Sequence, residues 1–247
     1  MKRIIKWFTA LAAILVGLYA VTTGFGIWAS HETGKRFDIG YGTSTSPKLV
    51  HLEIGYKVFA IPQNYIWSRE DWKGGKVQGV NLHALWPDFE PYTEANRYEF
   101  DKPGWNRKMD ILLREHNIPG SRTSRTSMTR REIYDRILYD YAAQKPRIAR
   151  ELQGPFGLKI QHLSPPRISG DEIYTGRKAN GDFYWVQCGQ EGKHEFPSCS
   201  TYVEYSKYVT IHYSFSRKDL NNWQGIDDAV VAFVNSFEAN TKQGGLQ

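Results

Sequence analysis

The chain has 247 residues, of which 14% are aromatic, and it carries a formal net charge of +6 at pH 7. This length allows one domain with a sizeable core, and the lack of internal repeats or biased segments excludes a solenoid or a low-complexity protein. Lys2, Arg3 and Lys6 supply half of the excess positive charge. Nucleic-acid binding requires basic residues clustered on one face, and the only dense basic cluster after them is the short stretch from Arg114 to Arg136. We therefore predict no nucleic-acid partner.

The N-terminal segment predicts a membrane anchor. Phe8 to Ala29 contains no charged residue and follows the three basic residues. A bilayer core about 30 Å thick needs roughly 20 apolar residues, whereas the apolar part of a signal peptide has about 7–15. The length favours an uncleaved membrane anchor, and the basic residues ahead of it predict a cytoplasmic N-terminus. A signal peptide cleaved at Ala29 is the alternative. The predicted parts are a basic stub and anchor (1–30), a linker (31–48) and an exported domain (49–247).

The exported part begins with segments that predict β-strands. Leu49 to Ile66 is rich in β-branched and aromatic residues, and Pro62 divides it into a strand and an irregular stretch. Val77 to Trp86 predicts the next strand, which Pro87 closes. After a polar connection, Met109 to His116 predicts a third strand.

The middle of the chain predicts a helix followed by more strands. Thr129 and Glu132 have the spacing of a capping box, and the apolar residues after them recur at helical spacing through Tyr141, so the helix is predicted to end before Pro146. From Phe156 onward the pattern changes to period two. The clearest alternating segments are Phe183 to Cys188 and Tyr208 to Phe215, which predict strands with one buried face.

The last element predicts an amphipathic helix. Its apolar residues step by three and four: Trp223, Ile226, Val230, Phe233 and Phe237. Asp227 and Asp228 are expected on its solvated face. Strands and helices without regular βαβ alternation predict an α+β fold. We therefore expect a mostly antiparallel sheet with the C-terminal amphipathic helix packed on it, preceded by one N-terminal transmembrane helix.

The two cysteines, Cys188 and Cys199, are the whole thiol inventory of the chain. In an oxidising compartment two cysteines this close predict a disulfide, and closure of their short loop would contribute about 3 kcal/mol in the chain-entropy model. A metal site with His194 as a third ligand is the alternative, although no fourth ligand has a recognisable spacing. We predict no metal and no other cofactor.

One segment resembles a catalytic motif. Asn81 to Asp88 reads NLHALWPD and is similar to the first motif of secreted acid ribonucleases, which supplies one of two catalytic histidines. Cleavage of RNA needs two proton-transfer groups on opposite sides of the phosphorus, and no second histidine here has the context of the partner motif. No nucleophile elbow, zinc-protease motif or phosphate-binding glycine loop is present. We expect no enzymatic activity, and a ribonuclease-like periplasmic hydrolase using His83 is the alternative.

Two parts of the chain together resemble a known group of proteins. Residues 49–100 contain FAIPQNY and HALWPDFEP. Residues 183–238 contain both cysteines, an alternating strand and the Trp223 helix. These segments resemble membrane-anchored periplasmic immunity proteins of type VI secretion system antibacterial effectors. The matching positions resemble fold-forming residues and are Pro62, Asn64, Tyr65, Trp86, Pro87, Asp88, Trp223, Ile226 and Phe237.

The resemblance implies a single-pass protein of the bacterial inner membrane whose periplasmic domain neutralises a cognate secreted toxin by direct binding, without a small-molecule substrate. Aromatic residues and arginine dominate binding hot spots, so the Arg-rich loop and a Trp-containing stretch are candidate contacts with the toxin. These candidates are Arg122, Arg125, Arg130, Arg131, Trp67 and Trp72. A structural envelope protein that binds some other partner is a further alternative.

Overall fold

The structure is a computed structural model that describes residues 43–116, 118–119, 129–164 and 171–239. The chain divides into two units, Met1–Gly42 and Thr43–Gln247, and every described residue belongs to the second. The predicted membrane anchor at residues 8–29 therefore lies outside the described residues. Within the described ranges, no helix is both long and apolar enough to cross a bilayer.

The described part consists mainly of strands. The strands are β1 (Leu49–Ile54), β2 (Lys57–Pro62), β3 (Gly75–Lys76), β4 (Gly79–Leu85), β5 (Lys108–Glu115), β6 (Tyr139–Asp140), β7 (Lys145–Pro146), β8 (Ile148–Gln153), β9 (Lys159–Ser164), β10 (Asp171–Arg177), β11 (Phe183–Gly189), β12 (Ser198–Ser206) and β13 (Val209–Ser216). The α-helices are α1 (Arg97–Asp101), α2 (Arg130–Ile137) and α3 (Trp223–Asn235). Short 3-10 helices span Gln63–Tyr65, Arg69–Lys73 and Arg217–Asn222.

The main sheet has eight strands in the order β4-β5-β13-β12-β11-β10-β9-β8, and all of its neighbours are antiparallel. A smaller sheet has the order β2-β1-β3, in which β1 and β3 run parallel. The large antiparallel sheet with the C-terminal helix on it confirms the predicted α+β class for the described residues. The final residues of the predicted linker also join this fold, because the carbonyls of Ser46 and Lys48 accept hydrogen bonds from the backbone N–H groups of Asn64 and Gln63.

The two faces of the main sheet differ. Along β13, Val209, Ile211 and Tyr213 are fully buried, while Thr210 and His212 between them are only partly buried. The buried face packs against α3 and the smaller sheet and forms the main hydrophobic core. We call the opposite side of the sheet the open face, and both depressions described below lie on it.

Helix α3 fits the prediction made from its apolar spacing. Trp223, Ile226 and Val230 are buried, and the Trp223 ring lies 4.4 Å from the Tyr184 ring of β11, measured between centroids. Helix α2 begins with the predicted capping box, because the Thr129 hydroxyl accepts from the backbone N–H of Glu132 at 3.2 Å. However, α2 ends at Ile137, about two turns short of the predicted end before Pro146, because Tyr139–Asp140 forms strand β6.

The segment from Leu49 to Ile66 contains a hairpin and not one strand. Gly55 and Tyr56 have φ values of 55° and 67° and form the turn between β1 and β2. Two successive residues with positive φ are typical of the tight hairpin turns that match strand twist. The continuous β-branched and aromatic pattern hid this turn, because Tyr56 is not a common residue in it.

Gly55 provides a test of how closely this hairpin approaches β13. A Cβ atom at Gly55 would lie 2.2 Å from the backbone oxygen of Tyr208, whereas a Cβ at Gly157 would meet nothing within 4 Å. Both glycines have positive φ, so both alanine variants share the backbone cost. We expect Gly55→Ala to be less stable than Gly157→Ala by about 1–3 kcal/mol in urea unfolding. Equal stabilities would contradict this close packing.

Candidate functional site

Polar residues lie in a row across the open face. His83 of β4 lies opposite Asp110 of β5, and Asp110 lies opposite Ser214 of β13. Cross-strand partners in an antiparallel sheet have side chains on the same face. The register therefore brings together a histidine and a carboxylate that are 27 positions apart in the sequence.

Helix α2 covers another part of the open face. Tyr134 and Ile137 of α2 pack with Ile173 and Trp185 in a second apolar cluster. The indole N–H of Trp185 donates to the backbone oxygen of Arg130 at 2.8 Å. This packing places the α2 side chains beside the exposed parts of β5 and β13.

We call the depression between α2 and these strands the basic cleft. Its volume is about 510 Å³, and its lining includes three arginines, two histidines, two tyrosines and one carboxylate: Arg114, Arg136, Arg147, His116, His212, Tyr139, Tyr141 and Glu115. Arg147 forms an ion pair with Asp140 at 3.4 Å. Neither Arg114 nor Arg136 pairs with a carboxylate among the described residues. Burial lowers the pKa of His212 and so disfavours its charged form.

We call the depression over the polar row the aromatic pocket. Its volume is about 680 Å³, and His83 and Asp110 form part of its lining. Four aromatic rings provide apolar walls, and two further carboxylates add negative charge. These residues are Trp67, Phe100, Trp105, Phe196, Asp101 and Glu195.

His83 is enclosed by aromatic rings. Its ring stacks between Trp67 at 6.1 Å and Tyr92 at 6.2 Å, and Phe100 lies at 5.0 Å, all measured between centroids. Burial lowers the pKa of His83 to about 4, although a hydrogen bond with the Asn64 backbone opposes this shift. The Nε2 atom is buried and has no hydrogen-bond partner among the described residues. His83 is therefore neutral at pH 7 and has an unused polar atom.

Asp110 is the second unusual group of this pocket. Burial raises its pKa to about 6, and the charge of Lys108 opposes the shift only in part. The Lys108 ammonium group donates to the carbonyls of Phe100 at 3.1 Å and Lys102 at 2.7 Å. No hydrogen bond from the described residues reaches the Asp110 carboxylate. At pH 7 the pocket thus holds an ionised carboxylate without a direct partner among these residues.

The predicted disulfide is present between Cys188 and Cys199, which lie directly opposite each other on β11 and β12. The alternative metal site is wrong, because both thiols are used in this bond. The segment between the cysteines carries His194, Glu195 and Phe196, which line the aromatic pocket. A Cβ on Gly104 would lie 2.6 Å from the Phe196 ring, so this glycine lets the two loops meet at the pocket wall.

The expectation that Asp227 lies on a solvated face is wrong. Its side chain is only 1% exposed, and it forms a bidentate ion pair with Arg130. Lys178 and the Tyr213 hydroxyl also donate to it, each at 2.8 Å. The prediction of Arg130 as a contact with a partner does not fit this geometry, because the guanidinium group is bound inside the fold.

The other predicted contact residues have different surroundings. Arg131 is exposed, pairs with Asp135 at 2.9 Å and lies over the Phe183 ring. Trp67 lines the aromatic pocket. Trp72 packs against the main core and donates its indole N–H to the Ile66 carbonyl. Arg122 and Arg125 lie outside the described residues.

Three residues of the family-like motif, Tyr65, Trp86 and Phe237, join one aromatic cluster. The Tyr65 hydroxyl donates to the Phe89 carbonyl at 2.9 Å, and the Tyr65 ring contacts Phe233 and Phe237 of the C-terminal region. Asn64, Ile226 and Trp223 are buried, Trp86 packs edge-on against Phe89, and the Trp86–Pro87 peptide bond is cis, while Asp88 is exposed. Pro62 ends β2. These contacts join the early and late parts of the chain.

The comparisons with known proteins show similarity of fold. No protein-family model and no curated protein matches the sequence. Smlt3025, described as an immunity protein of the Stenotrophomonas maltophilia type IV secretion system, matches the structure with a TM-score of 0.53 and 15% identity, covering 79% of this chain and 95% of that chain. The Neisseria meningitidis iron-regulated outer membrane lipoprotein FrpD matches with a TM-score of 0.44 and 12% identity, covering 79% of this chain and 96% of that chain.

Proposed function

We propose that this protein is an immunity protein that neutralises a secreted antibacterial toxin by direct binding. The observation that carries the proposal is the shared fold with an immunity protein of a secretion system, which extends over 95% of that protein. The motif resemblance supports the same role and favours a toxin of the type VI system. Neutralisation requires a complementary surface and no chemistry of its own.

The proposal includes a cellular location, the periplasmic side of the inner membrane. The apolar segment at residues 8–29 anchors the chain in the inner membrane, and residues 43–239 act in the periplasm. The disulfide supports this location, because disulfides persist in oxidising compartments. A neutraliser held at the membrane meets a toxin delivered to the periplasm before the toxin reaches its target.

The basic cleft is the proposed main contact with the toxin. Arg114 and Arg136 form no ion pair with a described carboxylate, and Tyr139 and Tyr141 line the same cleft. Arginine and tyrosine are enriched at binding hot spots, and complementary charge favours the correct partner. We therefore infer that an acidic segment of the toxin enters this cleft.

Charge reversal tests this surface. We expect Arg114→Glu combined with Arg136→Glu to weaken toxin binding at least about tenfold, because like charges then face each other across the interface. The matched control is Lys73→Glu, an exposed position outside the cleft. The dissociation constants of the purified full-length variants are compared by titration calorimetry. Equal weakening by the control, or none by the double variant, would remove the cleft from the interface.

The proposal predicts that a neighbouring gene encodes the toxin, and co-expression with that gene product tests the function. A stable complex should form, and sensitive cells that produce the immunity protein should survive the periplasmic toxin. Cells that produce a variant without residues 8–29 and without another export signal should die, because this chain would stay in the cytoplasm. Failure to form a complex at micromolar concentration would refute the pairing.

One observation favours a second candidate function, a hydrolase acting on RNA. His83 and His194 both line the aromatic pocket, as two proton-transfer groups would need to do. The lowered pKa of His83 and its buried Nε2 atom make it a poor acid at pH 7. If the purified protein degrades RNA and His83→Ala abolishes the activity, the hydrolase replaces the immunity protein as the better proposal.

A further inference from the structure

The aromatic pocket has a chemistry opposite to that of the basic cleft. Its lining contains the carboxylates of Asp101, Asp110 and Glu195. Lys108, the cation of the lining, donates its N–H groups to two backbone carbonyls. The pocket therefore offers negative charge and hydrogen-bond acceptors to a ligand.

One buried and one half-buried group of the pocket, His83 and Asp110, lack hydrogen-bond donors among the described residues. His83 is 6% exposed, and its Nε2 atom has no partner among the described residues. The neighbouring Asp110 carboxylate receives no hydrogen bond from them either. A buried acceptor without a donor costs free energy in the unbound protein, and a ligand that donates to it recovers that cost. The ligand for this pocket is therefore a donor-rich cation.

The walls of the pocket distinguish among cations. The lining contains the aromatic rings of Trp67, Phe100, Trp105 and Phe196. A guanidinium group is planar, stacks on aromatic faces and has five N–H donors and no acceptor, whereas an ammonium group is compact and strongly hydrated. The described residues contain no group of three or more metal-ligating side chains, so an organic cation fits better than a metal ion.

We propose that the aromatic pocket binds the guanidinium group of an arginine side chain of the protein partner. The assignment of this arginine to the toxin rests on the proposed function. It follows because the aromatic pocket lies on the same face of the sheet as the basic cleft, so a toxin bound at the cleft also faces the pocket. In the complex, Asp110 receives the N–H donors and the aromatic rings cover the guanidinium plane. A small adjustment of the rings around His83 then brings its Nε2 atom within reach of a donor.

The site is tested without the toxin by a chemical-shift titration of the purified full chain. The probe is N-acetyl-L-arginine methylamide, and its neutral isostere N-acetyl-L-citrulline methylamide is the reference. The Trp indole signals should shift saturably with the arginine probe and not with the citrulline probe. Asp110→Asn should weaken probe binding at least tenfold, and Asp135→Asn, an exposed carboxylate on α2, should leave it unchanged. Equal responses to both probes, or an unchanged Asp110→Asn variant, would overturn the proposal.

The Tm of Asp110→Asn shows whether the variant has lost ligand binding or has lost its fold. Asp110→Asn removes a half-buried charge that has no direct partner among the described residues, so we expect its Tm to equal or exceed that of the wild type. A lower Tm would show that the carboxylate supports the fold and would overturn its assignment to a ligand.

Toxin binding identifies the source of the cation. Asp110→Asn should weaken the toxin complex at least tenfold, with Asp135→Asn again as the control. If the probe binds but the toxin affinity is unchanged, the pocket takes a free cation, and the assignment to the partner is overturned. If no toxin complex forms at all while the probe still binds through Asp110, the proposed function fails and the guanidinium site stands.

Discussion

Asp227→Asn should lower the free energy of unfolding by about 3–5 kcal/mol, the range typical for removal of one partner from a buried ion pair. The wild-type carboxylate is 1% exposed and interacts with Arg130, Lys178 and Tyr213. Asparagine keeps the shape but removes the charge, so two buried cations lose their shared counter-ion. Urea unfolding of the purified full chain measures the change.

Asp228→Asn is the matched control for this prediction. Asp228 is the next residue and also pairs with Lys178, but its side chain is 70% exposed. Exposed ion pairs contribute roughly 0–1 kcal/mol, so the control should remain close to the wild type. Similar losses in the two variants would show that burial of Asp227 is not the cause.

The same group gives stability a dependence on pH. Burial alone would raise the pKa of Asp227, but the charges and hydrogen bonds of Arg130 and Lys178 outweigh it and hold the pKa below the ordinary value of 3.8. A carboxyl group with a lowered pKa contributes its full stability above that ordinary value and loses it as the pH falls through the folded-state pKa. Lowering the pH should therefore reduce the free energy of unfolding of the wild type more than that of Asp227→Asn.

Removal of the disulfide should have the second largest effect. Cys188→Ser combined with Cys199→Ser should cost about 3 kcal/mol, because the unfolded chain loses the constraint of a short closed loop. The sequence separation of the two cysteines is 11. Both residues are fully buried, so the new hydroxyl groups add to the loss.

The reductant dithiothreitol provides the control for the disulfide. The wild type should lose stability on reduction and approach the double variant, while the double variant should be insensitive. A wild type that unfolds at the same urea concentration with and without reductant would contradict a stabilising role.

The fold was predictable where local signals agree with tertiary structure. The three-and-four spacing of Trp223, Ile226 and Val230 predicted α3, and Thr129 with Glu132 predicted the start of α2. The hairpin at Gly55 was missed because both of its strands are apolar and no common turn pair separates them. Strand β12 was missed because Ser and Thr alternate with its apolar residues, and its strand character depends on pairing with β11 and β13.

The candidate site was less predictable, because the pairing register of the strands determines which side chains lie next to each other. His83 was recognised from its motif, but nothing local indicates that Asp110 lies opposite it. The basic cleft likewise depends on where α2 lies on the sheet. Asp227 did have a sequence signal, since it follows Trp223 by four residues and precedes Val230 by three, which places it on the buried stripe of the helix.

The disulfide also couples the aromatic pocket to the compartment in which the protein is found. Its two cysteines end the segment that carries Glu195 and Phe196, and this segment forms one wall of the pocket. In the reducing cytoplasm that segment would have no covalent closure at its base. If the chain is exported as proposed, oxidation after translocation closes this segment, and the wall of the pocket is then completed only outside the cytoplasm.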